Sequence, residues 1–206
     1  VDVTAFTFMA LFIARLGPEV SAAHQIAASV AVFVFMVPIA LGSATGVLVG
    51  QALGARDSRR ARHAGLLGLA VGCGVATIIG SAIWLGADPL ARTYTTDAQV
   101  AAAAATLLAI VAAYHVADAM QAVMAQVLRG YKRALAPMVI YAISLWGVGL
   151  GGGYLLGLTD IFGAARGAAG FWIAGTASLA LAGAGVLAYF LRISAQTIPA
   201  PATTTT

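Results

Sequence analysis

Long apolar runs separated by short polar turns set the pattern of this chain. Six runs stand out, approximately Val1–Leu16, Ala22–Leu53, Ala64–Gly86, Ala98–Leu128, Pro137–Leu158 and Ala168–Leu191. A helix needs roughly 20 apolar residues to cross a bilayer, and every run but the first reaches that length. The first reads as cut into, so the chain is taken as a fragment of a longer protein. The turns, at 17–21, 54–63, 87–97, 129–136 and 159–167, are short, so consecutive helices should pack antiparallel. In hydrocarbon only helices or closed barrels satisfy their own backbone, and these unbroken runs lack the alternation of barrel strands. The expected fold is an all-α integral membrane protein, a six-transmembrane-helix bundle over residues 1–192. Residues 193–206, with two Pro and a terminal run of Thr, are expected to form a disordered cytoplasmic tail.

Composition agrees with the pattern. The 206 residues are 61% hydrophobic and 9% charged, with a mean hydropathy of +0.95, far from soluble usage. A single cysteine, Cys73, rules out an internal disulfide, and its apolar surroundings mark it as an inert small side chain. No charged segment precedes the first apolar run, so Val1 does not open a signal peptide. The net charge of +4 matters through its placement. Arg56, Arg59, Arg60, Arg62, Arg129, Lys132, Arg133 and Arg192 fall on one set of turns and the tail, against Arg15, Arg92 and Arg166 on the other. The positive-inside rule puts the first set in the cytoplasm, and with it both ends of the chain. The expected location is the plasma (inner) membrane, with lipid as the surrounding partner. The Arg56–His63 cluster lacks interleaved aromatics, so it is read as a topology signal at lipid headgroups and no nucleic-acid partner is expected.

Within the second run, Gly42, Gly46, Gly50 and Gly54 recur every four residues, a stripe that lets another helix backbone approach closely. Gly149, Gly153 and Gly157 form a shorter stripe of the same kind. The second run, 32 residues long or roughly 48 Å as a helix, must tilt, bend or project from the bilayer, and Pro38 supplies a bend. His24 is read as a structural histidine, and His115, one residue from Tyr114, points elsewhere on its helix.

Chemistry enters with the acids. Glu19, Asp88, Asp97 and Asp160 lie on outer turns and Asp57 on an inner one, leaving Asp2 and Asp118 inside apolar helices. An ionisable group at the centre of a bilayer costs roughly 2.5–3.5 kcal/mol on insertion scales, so it faces a protein interior or a wet cavity and marks an ion or substrate path. Asp118 lies eleven residues before Arg129, roughly 16 Å from the helix end. Asp2 has a comparable depth. Tyr114, four residues before Asp118, shares its helical face, and Gln121 extends the polar stripe as a candidate cavity-lining residue. Two carboxylates in one low-dielectric site disfavour joint ionisation, so one should hold a proton or a cation. Asp118, Tyr114 and Asp2 are thus candidate cation-binding and coupling residues, with H⁺ or a transiently held Na⁺ as coupling ion. No cofactor and no resident metal are expected.

Several stretches together resemble a known family. Leu16-Gly17 is followed by Ala22-Ala23-His24-Gln25-Ile26-Ala27; Phe35-Met36-Val37-Pro38 leads to Val49-Gly50-Gln51-Ala52-Leu53-Gly54-Ala55; Asp118-Ala119-Met120-Gln121 leads to Leu128-Arg129-Gly130-Tyr131-Lys132. Up to about Leu191 the chain resembles the C-terminal half of a NorM-like multidrug and toxic compound extrusion (MATE) transporter. That resemblance implies the second of two six-helix lobes, a missing N-terminal lobe as partner, and efflux of cationic or amphipathic drugs in exchange for H⁺ or Na⁺. It also implies the cation-site roles of Asp2, Tyr114 and Asp118, with Asp2 standing where the family usually has Glu. Competing expectations are a related lipid-linked oligosaccharide flippase, which would need cationic residues mid-span, and a half-transporter that does not turn over. A membrane-embedded enzyme is disfavoured, since no Gly-x-Gly-Asp, Ser–His or His-Glu-x-x-His set is present.

Overall fold

The computed structural model describes residues 2–197, with side chains from Val3 onward. The described chain is helical throughout, without strands. Its elements are α1 (Asp2–Ala14), α2 (Pro18–Gly54), α3 (Ser58–Leu85), α4 (Ala87–Tyr94), α5 (Ala98–Gly130), α6 (Leu135–Leu158) and α7 (Gly167–Gln196). Five of these are long and apolar enough to span a bilayer, and α1 is a shorter apolar helix.

Helix boundaries differ from the sequence-based ones wherever a polar segment proved helical. The basic run 58–63, expected as a turn, forms the first turns of α3 because Asp57 caps it, its carboxylate accepting from the Arg60 backbone N–H at 2.9 Å. The turn at 87–97 contains α4, closed by an exposed Arg92–Asp88 pair at 2.9 Å. Helix α7 continues to Gln196, past the expected start of the tail; residues 198–206 lie outside the described residues. Asp97 caps α5 by accepting from the N–H groups of Gln99 and Val100, at 2.8 and 3.2 Å.

The basic ends of α2 and α5 close in the same way. Asp57 N–H donates to Ala52 O and Arg56 N–H to Leu53 O, at 2.9 and 3.0 Å, while Arg133 donates to Leu128 O and Lys132 to Arg129 O, both at 2.9 Å. These are Schellman caps. The left-handed residue in each is a cation, Arg56 (φ 59°) and Lys132 (φ 58°), where glycine is usual. Placed there, the cations also complement the negative end of the helix dipole.

Helix α5 is the centre of the bundle. It packs most extensively on α2, then on α7 and α3, and it is buried nearly all round, from Leu107 and Leu108 through Val123 and Met124. Two apolar clusters flank its midpoint. One gathers Ile13, Leu108, Phe171 and Trp172. The other, toward the basic end, gathers Val49, Val127, Leu128 and Phe190. Helix α6 is α-helical at both ends but widens to a π-helix over Ser144–Gly151, where Gly149 packs closely on Ser178 of α7, a Cβ there lying 3.0 Å from its Oγ.

Only half of the four-residue glycine stripe works as a contact. A Cβ on Gly46 would lie 2.8 Å from the Gln126 carbonyl oxygen, and one on Gly42 3.2 Å from the Val123 Cα; Gly50 and Gly54 would meet nothing within 4 Å. The reason is geometric. Helices α2 and α5 meet at Gly42 and Gly46, and beyond them the contact line passes to Val49 and Ala52, buried with Val127 and Leu128, so Gly50 and Gly54 fall off that face. The second stripe seats Gly153 and Gly157 on Phe171 of α7. Gly46→Leu should therefore separate α2 from α5 and lose about 1–3 kcal/mol, read as a lowered thermal unfolding midpoint in detergent. Gly50→Leu should leave that midpoint unchanged.

Candidate functional site

Beside the seam between α2 and α5 lies a chamber of about 480 Å³ bounded also by α1 and α6. Its walls are mostly apolar, supplied by side chains such as Phe6, Ala28, Ala31 and Phe35. Its polar lining comes from Thr7 of α1, His24 and Gln25 of α2, Tyr114 and Asp118 of α5, and Tyr141 of α6. None of its lining residues is Lys or Arg. Tyr114 and Asp118, one helical turn apart, thus border one space, and Asp118 is only 7% exposed. Oxygen-bearing groups of Thr7, Gln25, Tyr114, Asp118 and Tyr141 are distributed along the chamber lining.

The remaining sequence candidates fall differently. Asp2 stands at the start of α1, but its side chain lies outside the described residues. Gln121 is buried and does not line the chamber. It lies about 4.5 Å further along the axis than Asp118, toward the level where α2 closes on Val123 and Gln126.

An aromatic wall holds Tyr114 in place. Trp172 of α7, fully buried, meets the Tyr114 ring edge-on at 5.2 Å, the Phe6 ring at 6.3 Å and the His24 imidazole at 5.9 Å. Such pairs add about 0.5–1.5 kcal/mol beyond area burial. Behind Tyr114 is a void of about 20 Å³ lined by Leu145, Gly149 and Leu150 of the π-helical segment together with Phe171 and Trp172. The widened turn of α6 therefore abuts the candidate site, as π-helical turns often do.

His24, read from the sequence as a structural histidine, also borders the Asp118 chamber. It is buried, and its Nδ1 has no hydrogen-bond partner. Its position near the end of an apolar run hid this. Only the packing of α1, α2, α5 and α6 together brings it to the same space as Asp118. The contributions of Trp172 and Tyr141 were equally hidden, since both come from helices distant in sequence.

An all-α, multi-pass membrane bundle with a carboxylate-lined chamber is the class that fold and site define. The chain belongs to the MatE family, which it matches over residues 2–155. It is similar to the probable multidrug resistance protein NorM of Idiomarina loihiensis, 42% identical over 88% of this chain and 39% of that protein. It is also similar to the NorM of Aromatoleum aromaticum, 40% identical over 76% of this chain and 34% of the relative. Among solved structures, the Vibrio cholerae MATE transporter VcmN in its bent form superposes with a TM-score of 0.84 at 19% identity, over 95% of this chain and 43% of that one. The chain thus spans well under half the length of these relatives.

Removing the aromatic wall should loosen the site. Trp172→Ala is expected to lower stability by roughly 3–5 kcal/mol, in the range for buried aromatic truncation, whereas Trp172→Phe, which keeps a ring and removes a buried N–H without a partner, should lose far less. Thermal unfolding of the two variants in detergent checks this.

Proposed function

We propose that this chain forms one lobe of a multidrug efflux antiporter that exports cationic or amphipathic compounds in exchange for H⁺ or Na⁺ by alternating access. The observation that carries the reading is a carboxylate, Asp118, held 7% exposed beside a chamber of about 480 Å³ with an otherwise largely apolar lining. Such a group is stable at mid-membrane when a mobile cation regularly neutralises it. The apolar walls suit an amphipathic substrate, and an anionic side chain favours a cationic one. Relatives named for multidrug resistance support the same assignment. The chamber's lack of Lys and Arg speaks against an anionic lipid-linked substrate.

In this reading the protein is a carrier without a bound cofactor, in the plasma membrane, with the basic ends of its helices in the cytoplasm. A second lobe packs beside the chamber mouth, against exposed apolar side chains of α2 such as Val32, Phe33 and Met36. Asp118 and Tyr114, with Asp2 from α1, provide the coupling site.

Asp118→Asn in the full-length protein should return drug-exposed cells to the susceptibility of cells lacking the transporter, with membrane insertion unchanged. Wild-type resistance in that variant refutes the site. In vesicles, either replacing Na⁺ with choline at fixed pH or collapsing the pH gradient should stop drug transport by the wild type. Transport that survives both manipulations refutes cation coupling.

A further inference from the structure

We propose that the groove between the basic ends of α2 and α3 is a binding site for an anionic phospholipid, with the headgroup phosphate held by Arg60 and His63. The groove has a volume of about 610 Å³ and shares no lining residue with the Asp118 chamber. The inference rests on the membrane bundle alone and is independent of the transport reading.

Polarity along the groove is graded as it is along a lipid. Arg60, His63 and Gln51 line one end, while Leu41, Leu48, Leu67 and Val71 continue along its length. Leu48 and Leu67 are 56% and 55% exposed, so this apolar surface is not covered by the described residues. From Ser58, the first residue of α3, to Val71 is roughly 20 Å of helix. That distance matches about 15 Å for one leaflet of hydrocarbon plus its headgroup layer. The floor is set where Gly68 of α3 rests against the side chain of Thr45 on α2. The Thr45 hydroxyl donates to Leu41 O at 2.7 Å, so its proton is turned into the helix and the floor stays apolar.

Charge at the mouth selects the headgroup. Arg56, Arg59, Arg60, Arg62 and His63 crowd this helix start, and the one acid among them, Asp57, is engaged as the cap of α3. Arg60 and His63 are three residues apart, hence on one face of α3. Arginine's planar fork matches phosphate oxygens bidentately. No Phe, Tyr or Trp lines the groove, which disfavours a stacked base and leaves an acyl chain as the occupant that fits.

The test uses full-length protein purified in mild detergent, with lipid retention followed by native mass spectrometry. Wild type should retain one phosphatidylglycerol in preference to phosphatidylcholine. Arg60→Gln combined with His63→Gln should weaken phosphatidylglycerol retention by roughly tenfold or more, the scale of one lost charge-assisted contact. Ala44→Leu and Ala64→Phe, made separately to fill the groove, should weaken it without removing charge, in protein whose thermal unfolding matches wild type. Lys132→Gln combined with Arg133→Gln, at the neighbouring basic turn, should leave retention unchanged. The proposal is overturned if wild type shows no preference between the two lipids, as it would if another part of the protein covers the groove. It is equally overturned if the Lys132 and Arg133 changes weaken retention as much as those at Arg60 and His63, or if the folded groove-filling variants bind as wild type does.

Discussion

The crossing of α2 over α5 is the contact on which the rest of this structure depends. At Gly42 and Gly46 the two helices approach until backbone meets backbone, with Gln126 O and Val123 Cα close to where a Cβ would stand. The seam continues on both sides of this level: Val49 is fully buried with Val127 and Leu128, and a Cβ on Gly130 would lie 2.7 Å from Gly46 O. Toward the other end Ala27, Val30 and Ala31 stay buried in the cluster that holds Leu108 and Val111. The two cavities lie beside this seam, one bordered by α1, α2, α5 and α6 and the other by α2 and α3. Such close approach is a form of packing that small residues permit in the absence of a hydrophobic drive between helices in lipid.

Keeping a carboxylate in such a bundle requires the surrounding wall to be firm enough to prevent collapse. Trp172 supplies much of that firmness, touching Phe6 of α1, His24 of α2 and Tyr114 of α5 from its place on α7. One side chain thereby ties four helices together around the site. The π-helical stretch of α6, whose widened turn brings Leu145, Gly149 and Leu150 against the far side of Tyr114, completes the enclosure. Tyr114 is thus wedged between the chamber in front and an apolar void behind, with its ring fixed and its hydroxyl on a helix face shared with Asp118.

Much of this was legible in the residues. Apolar length and the absence of strand alternation led to the helical membrane bundle, because an unsatisfied backbone is untenable in hydrocarbon. The four-residue spacing of Tyr114 and Asp118 placed both on one face, and the structure puts both on one chamber. Less legible were the helix ends. The run from Ser58 to His63 is polar and was read as a turn, yet Asp57 caps it into α3, since an interfacial helix start tolerates charge that a spanning segment does not. The glycine stripe was legible as a motif but not as a contact, because spacing along one helix says nothing about which of its positions face the partner.

By itself, then, the sequence determined the class of solvent, the number of long apolar helices, the family resemblance and the shared helical face of Tyr114 and Asp118. Each of these follows from local composition or from spacing along a single helix. Tertiary structure alone decided that Gln121 would be buried short of the chamber, that His24 would line it, and that Trp172, more than fifty residues from Tyr114 in sequence, would brace the site. Those outcomes depend on crossing angles and on which faces meet, and such quantities are fixed by side chains of several helices acting together.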